Sequence, residues 1–378
     1  MTTPLLTTEE QVRYGRHLAL PEVGTAGQLR LKEASVLLVG LGGLGAPSAL
    51  YLAAAGVGRL GLIDGDVVDR SNLQRQVLYR ESDVGRLKVE AARDHLRALN
   101  PHLQLDLFPE RLTAANAHKR LAPYDVIVDG TDNFTTRYLV NDACVLTGKP
   151  NVYGSVYRFE GQASVFWAAR GPCYRCLYPE PPPPGAVPDC AEGGVLGVLP
   201  GLIGLLQATE AIKLILGVGE TLVGRLVLYS ALGLKFREMH LAKDPACPIC
   251  GTHPTITTVR EIAFTCTTTT EATMHELSVC ELKQELDAGR ELFLLDVREP
   301  AEFALGALPG GVLIPLGEVP ERLAEIPTDR EIVCYCRSGM RSARAAEFLR
   351  QRGITRIRNL AGGTLAWSDE IDPTLPKY

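Results

Sequence analysis

Three groups of residues in this chain have the type and spacing for chemistry. The first is "CRSGMR", Cys336 to Arg341, at the end of the apolar run "IVCYC". Backbone N–H groups curling round a cysteine, backed by a helix N-terminus and two guanidiniums, form an anion nest. Such a nest lowers a thiol pKa toward about 3.5 to 7.5 and also stabilises a persulfide anion. From cysteine to arginine the loop is six residues, one fewer than the C-x5-R loops that close on a tetrahedral phosphate, so it suits a single added sulfur. The bland alternative is a structural cysteine capping a helix.

The second group is a glycine turn, Gly40, Gly42, Gly43 and Gly45, after "ASVLLV" and before an apolar helix pattern. It lets backbone approach a phosphate at the helix N-terminus. Asp64, 19 residues beyond Gly45, ends the next strand pattern and suits ribose hydroxyls. A dinucleotide-dependent dehydrogenase fits these features equally well. The residues beyond Asp64 favour ATP. "DGDVVDRSNLQRQ" supplies Asp66, Asn72 and Arg75, "GRLKVE" supplies Lys88, and Asp132 in "DGTDN" offers a hard oxygen ligand suited to Mg²⁺. A hydride carrier needs none of these, whereas a triphosphate attacked at its α-phosphorus needs its charge neutralised.

The third group is thiols. Four of the ten cysteines form "CYRC" (Cys173, Cys176) and "CPIC" (Cys247, Cys250). Four thiolates brought together close a tetrahedral structural Zn²⁺ site with no open position for catalysis; two redox dithiols are the alternative. Cys190 follows the stiff proline run "PEPPPPGAVP" and is open to two readings, a small buried residue or a reactive thiol. Cys144, Cys266, Cys280 and Cys334 are assigned to packing or linker.

The elements that must position these groups fall into two α/β patterns. "ASVLLVGLGGLGAPSALYLAAAGVGRLGLIDGD" reads as strand, turn, helix and strand of a doubly wound parallel sheet, and "YDVIVDGTDN" as another strand ending in a polar loop. Between 252 and 273, ten of 22 residues are threonine, which marks a linker with ends roughly 25 Å apart as a flexible coil. Beyond it, "LFLLDVRE", "IVCYC" and "MRSARAAEFLRQRG" give a second, smaller α/β domain. The expected domains are thus 1–251 and 274–378, joined by 252–273.

A net charge of −5 argues against a dedicated nucleic-acid or anionic-membrane binder, which needs a basic face. The uncharged run 193–209, "GGVLGVLPGLIGLLQAT", is broken by Pro200 and followed by Glu210 and Lys213. It reads as a buried or interface helix rather than a membrane span. With no signal-peptide core at the N-terminus, the expected location is the cytoplasm.

"RYGRHL", "VGLGGLGAPSALYLAAAGVG", "DGDVVDRSNLQRQ", "GRLKVEAA" and "DGTDN" resemble, in order over about residues 5–250, the MoeB/ThiF branch of the ubiquitin-activating-enzyme-like adenylyltransferases. The resemblance implies that ATP adenylates the C-terminal Gly-Gly carboxylate of a ubiquitin-fold sulfur carrier protein. Asp64 would hold the ribose, Arg75 and Lys88 the phosphates and Asp132 the Mg²⁺. Arg16 would reach the site of the other subunit of a homodimer, on a helix opened by a Thr7 to Glu10 capping-box pattern and loosened by Gly15. The four-cysteine zinc would be structural. Cys190 would be the crossover-loop cysteine able to form a thioester or acyl disulfide with the carrier.

"DVREPAEF", "GALPGGVLIPL", "CRSGMRS" and "LAGGTLAW" give residues 274–378 a resemblance to a rhodanese domain. Cys336 would carry the persulfide, Arg341 would belong to its loop, and Asp296 and Arg298 would support it; Ala307 stands where a histidine is common. This two-domain order resembles adenylyltransferase–sulfurtransferase fusions of molybdenum cofactor synthesis, with carriers for thiamine, cysteine or tRNA thiolation as further possibilities. The sulfur donor would be thiosulfate or a cysteine desulfurase persulfide. The rival readings are an NAD-dependent oxidoreductase fused to a sulfur-handling domain, and a non-catalytic redox scaffold.

Overall fold

The computed structural model describes residues 5–181, 194–261 and 276–377. Contacts divide the chain into two compact units, 1–265 and 266–378. Cys190 and Cys266 lie outside the described residues.

The first unit is built on an eight-stranded sheet in the order β3-β2-β1-β4-β5-β6-β7-β8. Its strands are β1 Ser35–Val39, β2 Arg59–Ile63, β3 Gln104–Phe108, β4 Val126–Asp129, β5 Asn151–Tyr157, β6 Glu160–Phe166, β7 Arg225–Ser230 and β8 Lys235–His240. From β3 through β5 the strands are parallel, and from β5 to β8 antiparallel. β1 reads "SVLLV" because both of its faces are covered. Val36 and Leu38 enter one core with Leu60, Leu62 and Val128, while Leu37 and Val39 enter another with Ile63 and Ile127. The chain winds outward from β1 to β3 and returns on the other side at β4. That leaves a crevice beyond the C-terminal ends of β1 and β4, where doubly wound sheets bind ligands.

Helix Val198–Leu216 is the one helix among the described residues that is long and apolar enough to cross a membrane. In the fold it lies against the sheet. Leu199, Ile203, Ala208 and Ala211 join the main core, and its buried polar residues are bonded within this chain. Gln207 Nε2 donates to Asp129 O at 2.6 Å and Val152 O at 2.9 Å, and Glu210 Oε2 accepts from Leu222 N at 2.7 Å.

At the N-terminus the Thr7–Glu10 capping box forms, with Glu10 Oε2 also 2.8 Å from Lys32 Nζ. The helix then breaks at Tyr14 into Thr8–Arg13 and Gly15–Leu18, and Arg16 is exposed on the second piece. The start of the threonine-rich stretch is packed on the first unit. Thr255 N and Ile256 N donate to Pro248 O at 2.8 and 2.9 Å. Ile256 lies against the paired cysteines and Val259 against the core of Leu37 and Ile127.

The second unit is a five-stranded parallel sheet, ordered β11-β10-β12-β13-β9. Here β9 is Glu276–Leu277, β10 Leu292–Asp296, β11 Val312–Leu313, β12 Glu331–Tyr335 and β13 Ile357–Leu360. Alternate residues of β12 feed opposite cores: Ile332 and Cys334 pack with Leu349, while Val333 and Tyr335 pack with Trp367. That period of two puts Cys336, just past the strand, on the Cys334 side.

Candidate functional site

The glycine loop leaves β1 at Gly40, which has φ +86°. A Cβ at Gly45 would lie 1.9 Å from Gly40 O, so only glycine lets the turn close. Helix Gly45–Ala55 starts there with no side-chain cap and no acid in its first turn, so its N-terminus suits an anion. The loop after β4 abuts this turn: a Cβ at Gly130 would be 2.8 Å from Gly40 O and 3.1 Å from Gly45 N. Asp132, two residues beyond Gly130, is exposed.

Asp64, at the end of β2, is tied to the glycine loop. Its Oδ2 accepts from Leu41 N at 2.8 Å, and its Oδ1 from Asp66 N at 2.9 Å. Lys88 opens helix Lys88–Leu99 with its side chain only 7 % exposed and its Nζ 3.0 Å from Asp66 Oδ2 and 3.8 Å from Asp64 Oδ2. Burial pushes the Asp64 carboxyl above the usual carboxylate range, against the pull of Lys88 and the two amides. At Asp66 burial acts in the same upward sense but is outweighed by Lys88 and Arg111, and its carboxyl sits low. The structure therefore joins Gly40, Gly42, Gly43, Gly45, Asp64, Asp66 and Lys88 into one site. Arg75 stands next to it: its Cγ is 3.6 Å from the Cβ position of Gly43, while its Nη1 donates to Ser71 O at 3.0 Å. Asn72 is turned to local work, accepting from Asp69 N at 3.3 Å.

The four cysteines of the two CxxC pairs converge, all sulfurs lying within 4.8 Å of one another. Cys173 and Cys247 are 3.6 Å apart, Cys176 and Cys250 3.4 Å, and Cys173 and Cys176 4.0 Å. A tetrahedron with Zn–S of about 2.3 Å has edges of about 3.8 Å, so the donor set fits the ion. Burial, reinforced by the neighbouring sulfurs, pushes the Cys173 thiol up, and burial with Cys176 as partner pushes Cys250 up to about 12. The Cys247 thiol is shifted down, burial being outweighed by the Ile249 and Cys250 amides and the neighbouring sulfurs; a bound cation would stabilise all four as thiolates.

In the second unit Cys336 is fully buried. Its Sγ accepts from Gly339 N at 3.2 Å and lies 3.4 Å from Ser342 Oγ. The loop rests on Gly362 and Gly363: Thr364 N donates to Cys336 O at 2.9 Å and Leu365 N to Arg337 O at 3.0 Å. Beneath it Arg298 and Asp296 form a fully buried ion pair, Nη2 to Oδ2 at 2.6 Å, with Arg298 also donating to Gly306 O at 2.9 Å.

A phosphate-type turn at the switch point, a closed cysteine tetrad and a cysteine-centred nest thus stand in one chain. The ThiF family model matches residues 14–249. The chain belongs to the ThiF family. The model for a rhodanese-like domain matches residues 278–370 beyond it. The chain is 49 % identical to the "Probable adenylyltransferase/sulfurtransferase MoeZ" of Mycobacterium tuberculosis over 99 % of its length and 96 % of the relative's. It is 43 % identical to the "Adenylyltransferase and sulfurtransferase MOCS3" of Drosophila persimilis, over 100 % of this chain and 88 % of that one. The ThiF fold also recurs in E. coli MccB with ATP, at 24 % identity and a TM-score of 0.56 over 63 % of this chain and 74 % of that one. The protein is an enzyme with an adenylyltransferase unit and a sulfurtransferase unit.

Several residues of the ThiF site are not marked by spacing. Gln76, buried with its Oε1 unpartnered among the described residues, lies beside Gly42. Tyr79 OH, its pKa raised mainly by burial, donates to Leu41 O at 3.0 Å. Arg137 is buried and donates to Thr131 O at 3.3 Å. Asp129, also buried, has its pKa raised by burial, and its Oδ1 accepts from Thr131 Oγ1 at 2.6 Å. Gln76 and Tyr79 sit at the end of "NLQRQ" or just after it, and Arg137 five residues after Asp132, so only their burial sets them apart. One thiol reading needs correction: Cys280 is exposed, its Sγ 3.4 Å from Glu370 Oε2, and joins none of the cores among the described residues, whereas Cys144 and Cys334 are buried.

Proposed function

We propose that the ThiF unit uses ATP to adenylate the C-terminal Gly-Gly carboxylate of a ubiquitin-like sulfur carrier protein, and that Cys336 then delivers sulfur to it. The carrying observation is the convergence of the glycine turn with Asp64 and Lys88 at the switch point, in a chain that also holds a nested cysteine. The turn and the helix N-terminus would receive phosphate oxygens, Asp64 the ribose hydroxyls, and Lys88 and Arg75 the phosphate charge. Asn72 would join them by releasing its local cap. Asp132 would hold Mg²⁺, which supplies further charge neutralisation when bound. Arg16 would complete the site of a second subunit in a homodimer.

The carrier carboxylate attacks the α-phosphorus and pyrophosphate leaves. The Cys336 persulfide anion, charged by thiosulfate or a cysteine desulfurase persulfide, attacks the acyl carbon, and AMP leaves with an acyl disulfide formed. A thiol reductant attacks the Cys336 sulfur of that disulfide, frees the carrier thiocarboxylate and leaves a mixed disulfide on Cys336 that a second thiol reopens; Cys190 is the further thiol able to form a thioester or acyl disulfide with the carrier. The fused order suits carriers of molybdenum cofactor or thiamine synthesis in the cytoplasm. Incubating candidate carriers with ATP, Mg²⁺ and a sulfur donor tests the reading: their mass should change by one sulfur for one oxygen. An unchanged carrier mass with every donor removes it.

A further inference from the structure

The loop after β10 and the loop after β12 leave the same edge of the second unit, since the two strands pair in parallel with Asp296 opposite Tyr335. Glu302 lies on helix Pro300–Leu305, which follows β10, and Arg341 closes the Cys336 loop after β12. The two side chains meet fork to fork, Nη1 to Oε2 at 2.6 Å and Nη2 to Oε1 at 2.7 Å. Both are largely shielded, at 10 % and 18 % exposure. Glu302 is fixed by its own helix as well, because its Oε2 accepts from Glu299 N at 2.9 Å in a capping box.

This pair decides what the loop can hold. An oxyanion-binding loop uses the arginine fork bidentately on the anion. Here a carboxylate occupies that fork and offsets its charge. At Sγ the Gly339 N–H donates and the Ser342 hydroxyl, which also reaches Gly339 O, lies within contact, surroundings suited to one added sulfur. We propose that Glu302 is a specificity-determining residue: by offsetting Arg341 it makes the Cys336 loop prefer a neutral or singly charged hydropersulfide donor over doubly charged thiosulfate. This rests on the sulfur-transfer reading of Cys336.

Both donors lead to the same persulfide. From a hydropersulfide, the Cys336 thiolate takes the terminal sulfur with its proton, the donor S–S bond breaks, and the donor departs as a thiolate. From thiosulfate, attack on the outer sulfur breaks its S–S bond, releases sulfite and leaves the persulfide as an anion. Neither route needs an added oxidant or reductant.

The test uses the full chain with Glu302→Gln, which keeps an acceptor for Glu299 N but loses the charge. Glu302→Asp, too short to keep both contacts, is a second variant, and Arg341→Met is made alone and combined with Glu302→Gln. Single-turnover sulfur uptake on Cys336 is followed by mass with thiosulfate and with cysteine hydropersulfide. Glu302→Gln should raise the thiosulfate-to-hydropersulfide ratio of second-order rate constants about tenfold, by lowering the half-saturating thiosulfate concentration. Glu302→Asp should move it the same way by less, and the effect of Glu302→Gln should vanish in the Arg341→Met background. An unchanged ratio in whichever Glu302 variant folds, or an equal rise without Arg341, overturns the proposal. Sulfur uptake on Cys336 of the parent chain from neither donor removes the sulfur-transfer reading and the proposal together.

Discussion

The ThiF nucleotide crevice and the Cys336 loop solve the same problem with opposite economies of sequence. Both sit beyond the C-terminal ends of parallel strands and offer backbone N–H groups to an anion. The crevice is assembled from segments spread between Gly40 and Arg137, and several of its charges, Asp66 and Asp132 among them, face solvent. The Cys336 loop spans six residues, and its cysteine and second arginine are both buried. A triphosphate is large and leaves as products, so its site stays open and polar. A single sulfur needs only a few fixed donors, so its site can close. The dispersed site should fail by degrees under mutation, and the compact one at a single atom.

The sharpest break comes from that contrast. Cys336→Ala should abolish sulfur uptake and carrier thiocarboxylate formation while ATP–pyrophosphate exchange stays near the parent rate, since every residue assigned to the nucleotide belongs to the first unit and Cys336 to the second. Cys334→Ala, on the same face two residues earlier and equally buried, should cost stability and spare the chemistry. Equal loss of sulfur transfer in both would mean that the loop activates the wrong thiol.

Next in size is the zinc. Metal analysis of freshly purified, reduced protein should find one zinc per chain, with apparent binding on the order of 10 kcal/mol coupled to folding. Chelation should therefore unfold the ThiF unit and leave the rhodanese-like unit's thermal transition in place. Protein that is free of zinc yet folded would remove the assignment.

Within the crevice, Lys88→Met should slow carrier-dependent pyrophosphate exchange by about 10² to 10³, the usual cost of one charge-stabilising donor. Asp132→Ala should lose exchange together with its Mg²⁺ dependence. Exchange by Asp132→Ala at the parent rate and with the parent Mg²⁺ dependence would falsify the metal assignment.

The contrast also explains what could be read from sequence. The turn at Gly40 to Gly45, Asp64, and the cysteine nest are local, each fixed by one strand and the loop that leaves it, and spacing alone exposes them. Glu302 lies 39 residues before Arg341 and meets it only because β10 and β12 are neighbours; nothing in either segment announces the pair. Asn72 and Arg75 are legible as residues near phosphate, but the structure shows their side chains bonded to Asp69 and Ser71, a competition that composition hides. Residues 252–261, the described part of the threonine-rich stretch, hold a second feature that composition does not mark. Their average looks like coil, yet Ile256 and Val259 each find a core to pack against.

The smallest effect concerns pH, and its sign sets Asp64 apart from carboxyls that their partners hold low, Asp66 and Asp83 among them. Asp64 has its pKa raised above 3.8 chiefly by burial. A carboxyl raised in the folded state binds its proton more tightly there than in the unfolded chain. Its charged form therefore costs stability at neutral pH, and that cost is relieved as pH falls through the raised folded value toward 3.8. Asp83 does the reverse: burial acts upward, but His95, Arg80 N and Arg86 outweigh it, so its contribution is kept above 3.8 and lost below. Denaturant midpoints of the nucleotide-free chain and of Asp64→Asn, taken from about pH 7 to about pH 4, isolate the first group because every other group titrates in both and only the parent carries a carboxyl at position 64. The parent should gain on the variant as pH falls across this range. Midpoints that stay parallel would show that Asp64 does not carry the cost of burying charge in the crevice, and that the dispersed site is built without that strain.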